Sequence, residues 1–98
     1  RVALELARQV QRGEVAVAVV TALMHEDNHA EAVTRCAAIA ADAELHEQYR
    51  ATALLYQAMS LQRLAAHADA RAVLVTLRER YPDTGAARAA ARLQERGR

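Results

Sequence analysis

Ninety-eight residues make one domain, so a two-domain organisation is excluded by length. Within the 53% of apolar residues 25 are alanine, and Phe and Trp are absent, so the chain supports a thin, helix-prone interior and excludes a fat core. The formal net charge of +1 is spread as +2 over residues 1–12, −5 over 13–70 and +4 over 71–98, which argues against a uniform nucleic-acid surface and fits head-to-tail contacts or a polar groove.

In chain order, Val2, Leu6 and Val10 recur every four residues and predict a first helix over 2–11. Gly13 is its natural stop, although the stripe Leu6, Val10, Val17, Val20, Met24 also fits one bent helix through that position. Segment 14–26 alternates Val15, Val17 and Val19 in a strand-like pattern, but no second strand is offered for pairing, so helix is expected. Asp27-Asn28 marks a turn in which either side chain can cap the following helix. That helix, about 29–41, buries Ala32, Val33, Cys36 and Ile39. A connection over 42–46 leads to a longer helix over about 47–64, with Leu54, Leu55, Ala58, Leu61 and Leu64 inward. After a weak turn at 65–68, a helix over about 68–81 buries Ala70, Val73, Leu74 and Leu77. Tyr81-Pro82-Asp83-Thr84 ends it, because the residue before proline disfavours helix and Asp or Thr starts the next. The last helix, about 85–96, has a thin stripe of Ala86, Ala89/Ala90 and Leu93, with Arg88, Arg92 and Arg96 on its other side. Short turns between such helices make neighbours antiparallel.

Internal repetition is the strongest signal. A shift of 38 residues lays His29-Ala30-Glu31-Ala32 on His67-Ala68-Asp69-Ala70, and pairs Leu23 with Leu61, Cys36 with Leu74 and Ile39 with Leu77. One helix-turn-helix unit therefore occurs at about 13–46 and again at 51–84, a period that belongs to stacked helical hairpins. Ala32 and Ala70 are expected where two backbones approach closely. In the second unit, Leu54, Ala58, Leu61, Ala70, Leu74, Leu77 and Pro82 resemble the tetratricopeptide repeat family in spacing. Arg80-Tyr81-Pro82-Asp83-Thr84 looks like the boundary found in many bacterial members. The departures are aliphatic residues in place of helix-A aromatics, Ile39 or Leu77 at a small position, and Ala65-Ala66 in place of Gly-Asp. The first unit also lacks a terminal proline, and four extra residues, 47–50, precede the second. The resemblance implies an all-α fold over 1–98 in which antiparallel hairpins stack as a short solenoid of five to six helices. Residues 1–12 would be a flanking helix, 13–46 and 51–84 the two repeats, and 85–98 a capping helix.

Each chemically suggestive residue has a plain alternative. His25-Glu26-Asp27-Asn28-His29 is formally H-E-x-x-H, in which histidines four apart on one helix share zinc and the glutamate activates water. Asp27 and Asn28 are turn-formers, however, and no third histidine stands at the extended spacing, where Ala32 and Arg35 are found. His29 also has a twin in His67 outside any such motif, which favours a shared packing role. Cys36 lies on a buried stripe opposite Leu74 and reads as a packed thiol; as the single cysteine it excludes an internal disulfide. His46 beside Glu47 reads as a solvated turn, since adjacent side chains on a helix diverge. The arginine stripe reads as the solvated face of a capping helix, or as a basic end that docks on the acidic middle of a second copy. No catalytic, metal or cofactor-binding residue is assigned.

The resemblance implies a non-catalytic scaffold that holds a peptide or partner protein in a concave groove. The implied groove residues are Val17, Thr21, Met24 and His25 from one unit and Leu55, Met59, Gln62 and Arg63 from the next. They do not resemble the family's carboxylate clamp of Lys and Asn side chains. A core this small points to a homodimer or to part of a longer bacterial protein, since such arrays need three or more units. The competing readings are a zinc hydrolase through His25 and His29 and an oligomerisation or sensor part of a larger regulator. Arginine without lysine reads as a bacterial coding bias. No apolar run approaches the roughly 18 residues of a membrane span. The start at Arg1, without Met or a signal peptide, makes the cytoplasm the expected compartment, or the periplasm if a signal was removed.

Overall fold

Alanine-rich segments without interior proline form helix readily, and helix is the only regular structure among the described residues. The computed structural model describes residues 2–96. Its five helices are α1 (Val2–His25), α2 (His29–Ala41), α3 (Glu47–Arg63), α4 (His67–Arg80) and α5 (Gly85–Arg96). Positions 97 and 98 of the expected capping segment, and the Arg96 side chain, lie outside the described residues.

The first expected boundary is corrected. α1 does not stop at Gly13; the proposed flanking helix and the first half of the first hairpin are one helix of 24 residues. Gly13 is buried and serves a close approach, because a Cβ there would fall 2.5 Å from the Tyr49 ring of α3. Glycine inside a helix costs about 1 kcal/mol against alanine. The seat it gives an aromatic ring from the next hairpin offsets that cost.

The two hairpin turns are the same structure twice. Asp27 and Ala65, 38 residues apart, both adopt the left-handed region, with φ of 59° and 62°. Around them the Asn28 N–H donates to the Leu23 carbonyl at 2.8 Å, and the Ala66 N–H to the Leu61 carbonyl at 2.8 Å. The Asp27 and Ala65 N–H groups donate to Met24 and Gln62, at 3.1 and 3.0 Å. This is the paired bonding that satisfies helix C-terminal carbonyls at a left-handed cap. The expectation that Asp27 or Asn28 caps α2 through its side chain is not met, since Asn28 makes no such bond. α2 and α4 instead start on backbone bonds, Ala32 to Asn28 and Ala70 to Ala66, at 3.1 and 3.0 Å.

The two connections between hairpins differ. His46 caps α3 by accepting from the Gln48 N–H at 3.0 Å, and Asp42 accepts from the Glu44 N–H. Thr84 caps α5, its hydroxyl oxygen accepting from the Ala87 N–H at 3.1 Å. An arginine ties each A helix to the connection that follows its own hairpin. Arg12 of α1 pairs with Asp42 and Glu44, while Arg50 of α3, 38 positions on, bonds the Ala40 carbonyl and lies over the Tyr81 ring.

Each helix packs on the next, and α1 on α3 and α3 on α5, whereas α2 and α4 do not touch. α1, α3 and α5 thus form one layer, with α2 and α4 on its outer side. α3 stands between two cores. Its Ala53 joins Val20, Ala32, Cys36, Ile39 and Leu45; its Ala51, Leu54 and Ala58 join Leu74, Leu77, Tyr81, Ala87 and Ala90. Ala32 and Ala70 are both buried, as the spacing predicts. The apolar stripe expected of 2–11 is not buried: Val2, Leu6 and Val10 are 75%, 55% and 45% exposed, because α1 outruns its neighbours. Leu64 is likewise exposed, having become the last residue before the left-handed turn.

Candidate functional site

Where α1 ends and α3 ends, their last turns face each other across a hollow of about 320 Å³. From α1 it takes Thr21, Met24 and His25, from α3 Tyr56, Met59 and Arg63, and His29 of α2 closes one side. Helical spacing explains the set: Thr21, Met24 and His25 are three and four apart, and so are Tyr56, Met59 and Arg63. Two thioethers and a phenol ring supply a deformable apolar floor, and Arg63 with His25 supplies donors at the rim. The Thr21 hydroxyl donates to its own helix, to the Val17 carbonyl at 3.0 Å, and so is occupied.

Five of the eight residues assigned to the groove from sequence therefore come together: Thr21, Met24, His25, Met59 and Arg63. Val17 sits half-buried one turn back and contributes its carbonyl. Leu55 packs against the C-terminal core. Gln62 borders a different hollow, with His67 and Arg71, between α3, α4 and α5. Tyr56 and His29 were not assigned to the groove, although Tyr56, three residues before Met59, carried a legible spacing signal.

His29 was expected to share a packing role with His67, and it does not. Its ring lies 3.3 Å from the Ser60 hydroxyl, while His67 is exposed. Ser60 belongs to the helix that covers the first hairpin; the matching position in α5 is 98, outside the described residues. His29 also lies 3.6 Å from Asp27, so serine, histidine and aspartate form a chain. It does not amount to a nucleophile, because Ser60 is fully buried and offers no approach to a carbonyl carbon. The contact ties α2 to α3 instead.

The H-E-x-x-H geometry is also not formed. His25 is the last residue of α1, His29 the first of α2, and left-handed Asp27 stands between them. No three His, Cys, Asp or Glu side chains converge among the described residues. Cys36 is fully buried, and desolvation pushes its thiol up to about 12, so it stays protonated at neutral pH. His46 is exposed and serves the α3 cap. Arg88 and Arg92 are exposed on α5, and no helix among the described residues is long and apolar enough to cross a membrane. No family model matches this chain, and no curated protein or solved structure matches it.

Proposed function

We propose that the protein is a non-catalytic, tetratricopeptide-like interaction module that holds a peptide or partner segment between α1 and α3. The observation that carries this reading is the hollow walled by Met24, Tyr56 and Met59 with Arg63 and His25 at its rim. The layer of α1, α3 and α5 backed by α2 and α4 supports it, because a stack of hairpins presents its first helices along one face. The two left-handed turns 38 residues apart support the same stacking. The chemistry suits a segment with an unbranched or aromatic apolar side chain next to a carboxylate.

Peptides selected from a random display library on the purified protein test this reading, with affinity read by fluorescence anisotropy. Met59→Glu should weaken the selected peptides at least about tenfold, since a carboxylate replaces the apolar floor. Arg63→Ala should weaken acidic peptides several-fold and flatten their salt dependence. Val75→Glu, on the exposed side of α4, should change nothing. Circular dichroism of each variant separates lost binding from lost fold. Selected peptides that bind Met59→Glu as tightly as the parent place the site elsewhere.

A further inference from the structure

The groove proposal uses one side of α1, and another side of the same helix remains uncovered. Val15 and Val19 are 57% and 38% exposed there, beside Ala38 and Ile39 of α2, along an open groove of about 700 Å³. In α3 the residue matching Val15 is Ala53, which is 1% exposed because the α1–α2 hairpin covers it. The exposed face is thus the one that α3 buries against a hairpin.

The stripe that contains these valines is complementary to itself. Arg8, Val15, Val19 and Glu26 lie along one side of α1, Arg8 and Glu26 being 18 residues, or about five turns, apart. Glu26 follows the last residue of α1, and its N–H still donates to the Ala22 carbonyl in helical fashion. Both pairs, Arg8 with Glu26 and Val15 with Val19, are centred on residue 17. An identical helix laid antiparallel about that centre sets Val15 against Val19 of the other copy, and Arg8 against its Glu26. Both contacts then occur twice, as two-fold symmetry requires. Arg8 and Glu26 have no ion-pair partner among the described residues, whereas Arg12 and Arg35 on the same groove are already engaged by Asp42, Glu44 and Glu31.

We infer that α1 is a homodimerisation helix, pairing antiparallel with α1 of a second copy through Val15, Val19, Arg8 and Glu26. The inference does not depend on the peptide groove. Thr21 and Met24 lie on the far side of α1, so the pairing leaves that hollow open.

Sedimentation velocity over a wide concentration range, with charge reversals, tests it. The parent should form a dimer that weakens with salt. Arg8→Glu and Glu26→Arg should each raise the dimer dissociation constant at least about tenfold, since each reversal sets like charges together twice. The combined Arg8→Glu/Glu26→Arg variant should return to within about threefold of the parent. A parent that stays monomeric at every concentration overturns the inference. So does a dimer that survives both single reversals, or one that the combined variant fails to restore.

Discussion

The hairpins α1–α2 and α3–α4 share a backbone plan and a 38-residue offset, yet equivalent residues meet different fates. Val15 is 57% exposed and its counterpart Ala53 1%. His29 packs on Ser60, and its counterpart His67 faces water. The second hairpin lies between two neighbours and the first has one. Burial in a stack is therefore set by position along it as much as by residue type.

The seams between A helices show the same principle. At α1–α3 the contact is Gly13 against Tyr49; the matching positions of α3 and α5 are Ala51 and Ala87, both in the C-terminal core. One seam is filled by nothing and a ring, the other by two methyl groups. Both solutions allow close backbone approach.

The largest break in the comparison is expected from the matched core positions Leu74 and Cys36, both about fully buried. Leu74→Ala should cost about 3 kcal/mol, with a cavity left in the C-terminal core. Cys36→Ala removes one sulfur atom and should cost about 1 kcal/mol. Urea unfolding followed by circular dichroism measures both, and equal losses would mean that the two cores are equally loose. Next is Gly13→Ala, which gains helix propensity yet drives a methyl group into Tyr49. It should lose about 1–2 kcal/mol net. Adding Tyr49→Ala copies the alanine seam of α3–α5 and should leave a clearly non-additive double-mutant cycle. The smallest effect belongs to the turns. Ala65→Gly should gain about 1 kcal/mol by relieving a left-handed alanine, and Asp27→Gly only a few tenths, since aspartate tolerates that region better. Thermal melts resolve the difference in sign and order.

Much of this was legible beforehand. The stop at Pro82, the cap at Thr84 and the buried series Ala32, Cys36, Ile39 and Ala70, Leu74, Leu77 follow from periodicity and backbone chemistry. Gly13 misled because a helix stop and a seat for a ring ask for the same residue. Val2, Leu6 and Val10 misled because spacing gives the face of a helix and not how far its neighbours extend. Half the candidate groove was readable, since Met24 and Met59 lie on predictable faces. Leu55 and Gln62 fell elsewhere because the twist of α3 between two cores decides which neighbour each residue meets.

By itself the sequence determined the helices, their repeat and the alanines at close approaches, because these depend on local bonding and on a period that one strip of chain carries. Tertiary structure decided the left-handed turns' shared bonding, the continuity of α1, the distinct fates of His29 and His67, and the bare valine face. Each of these depends on what lies across the gap, and residues distant in sequence supply that.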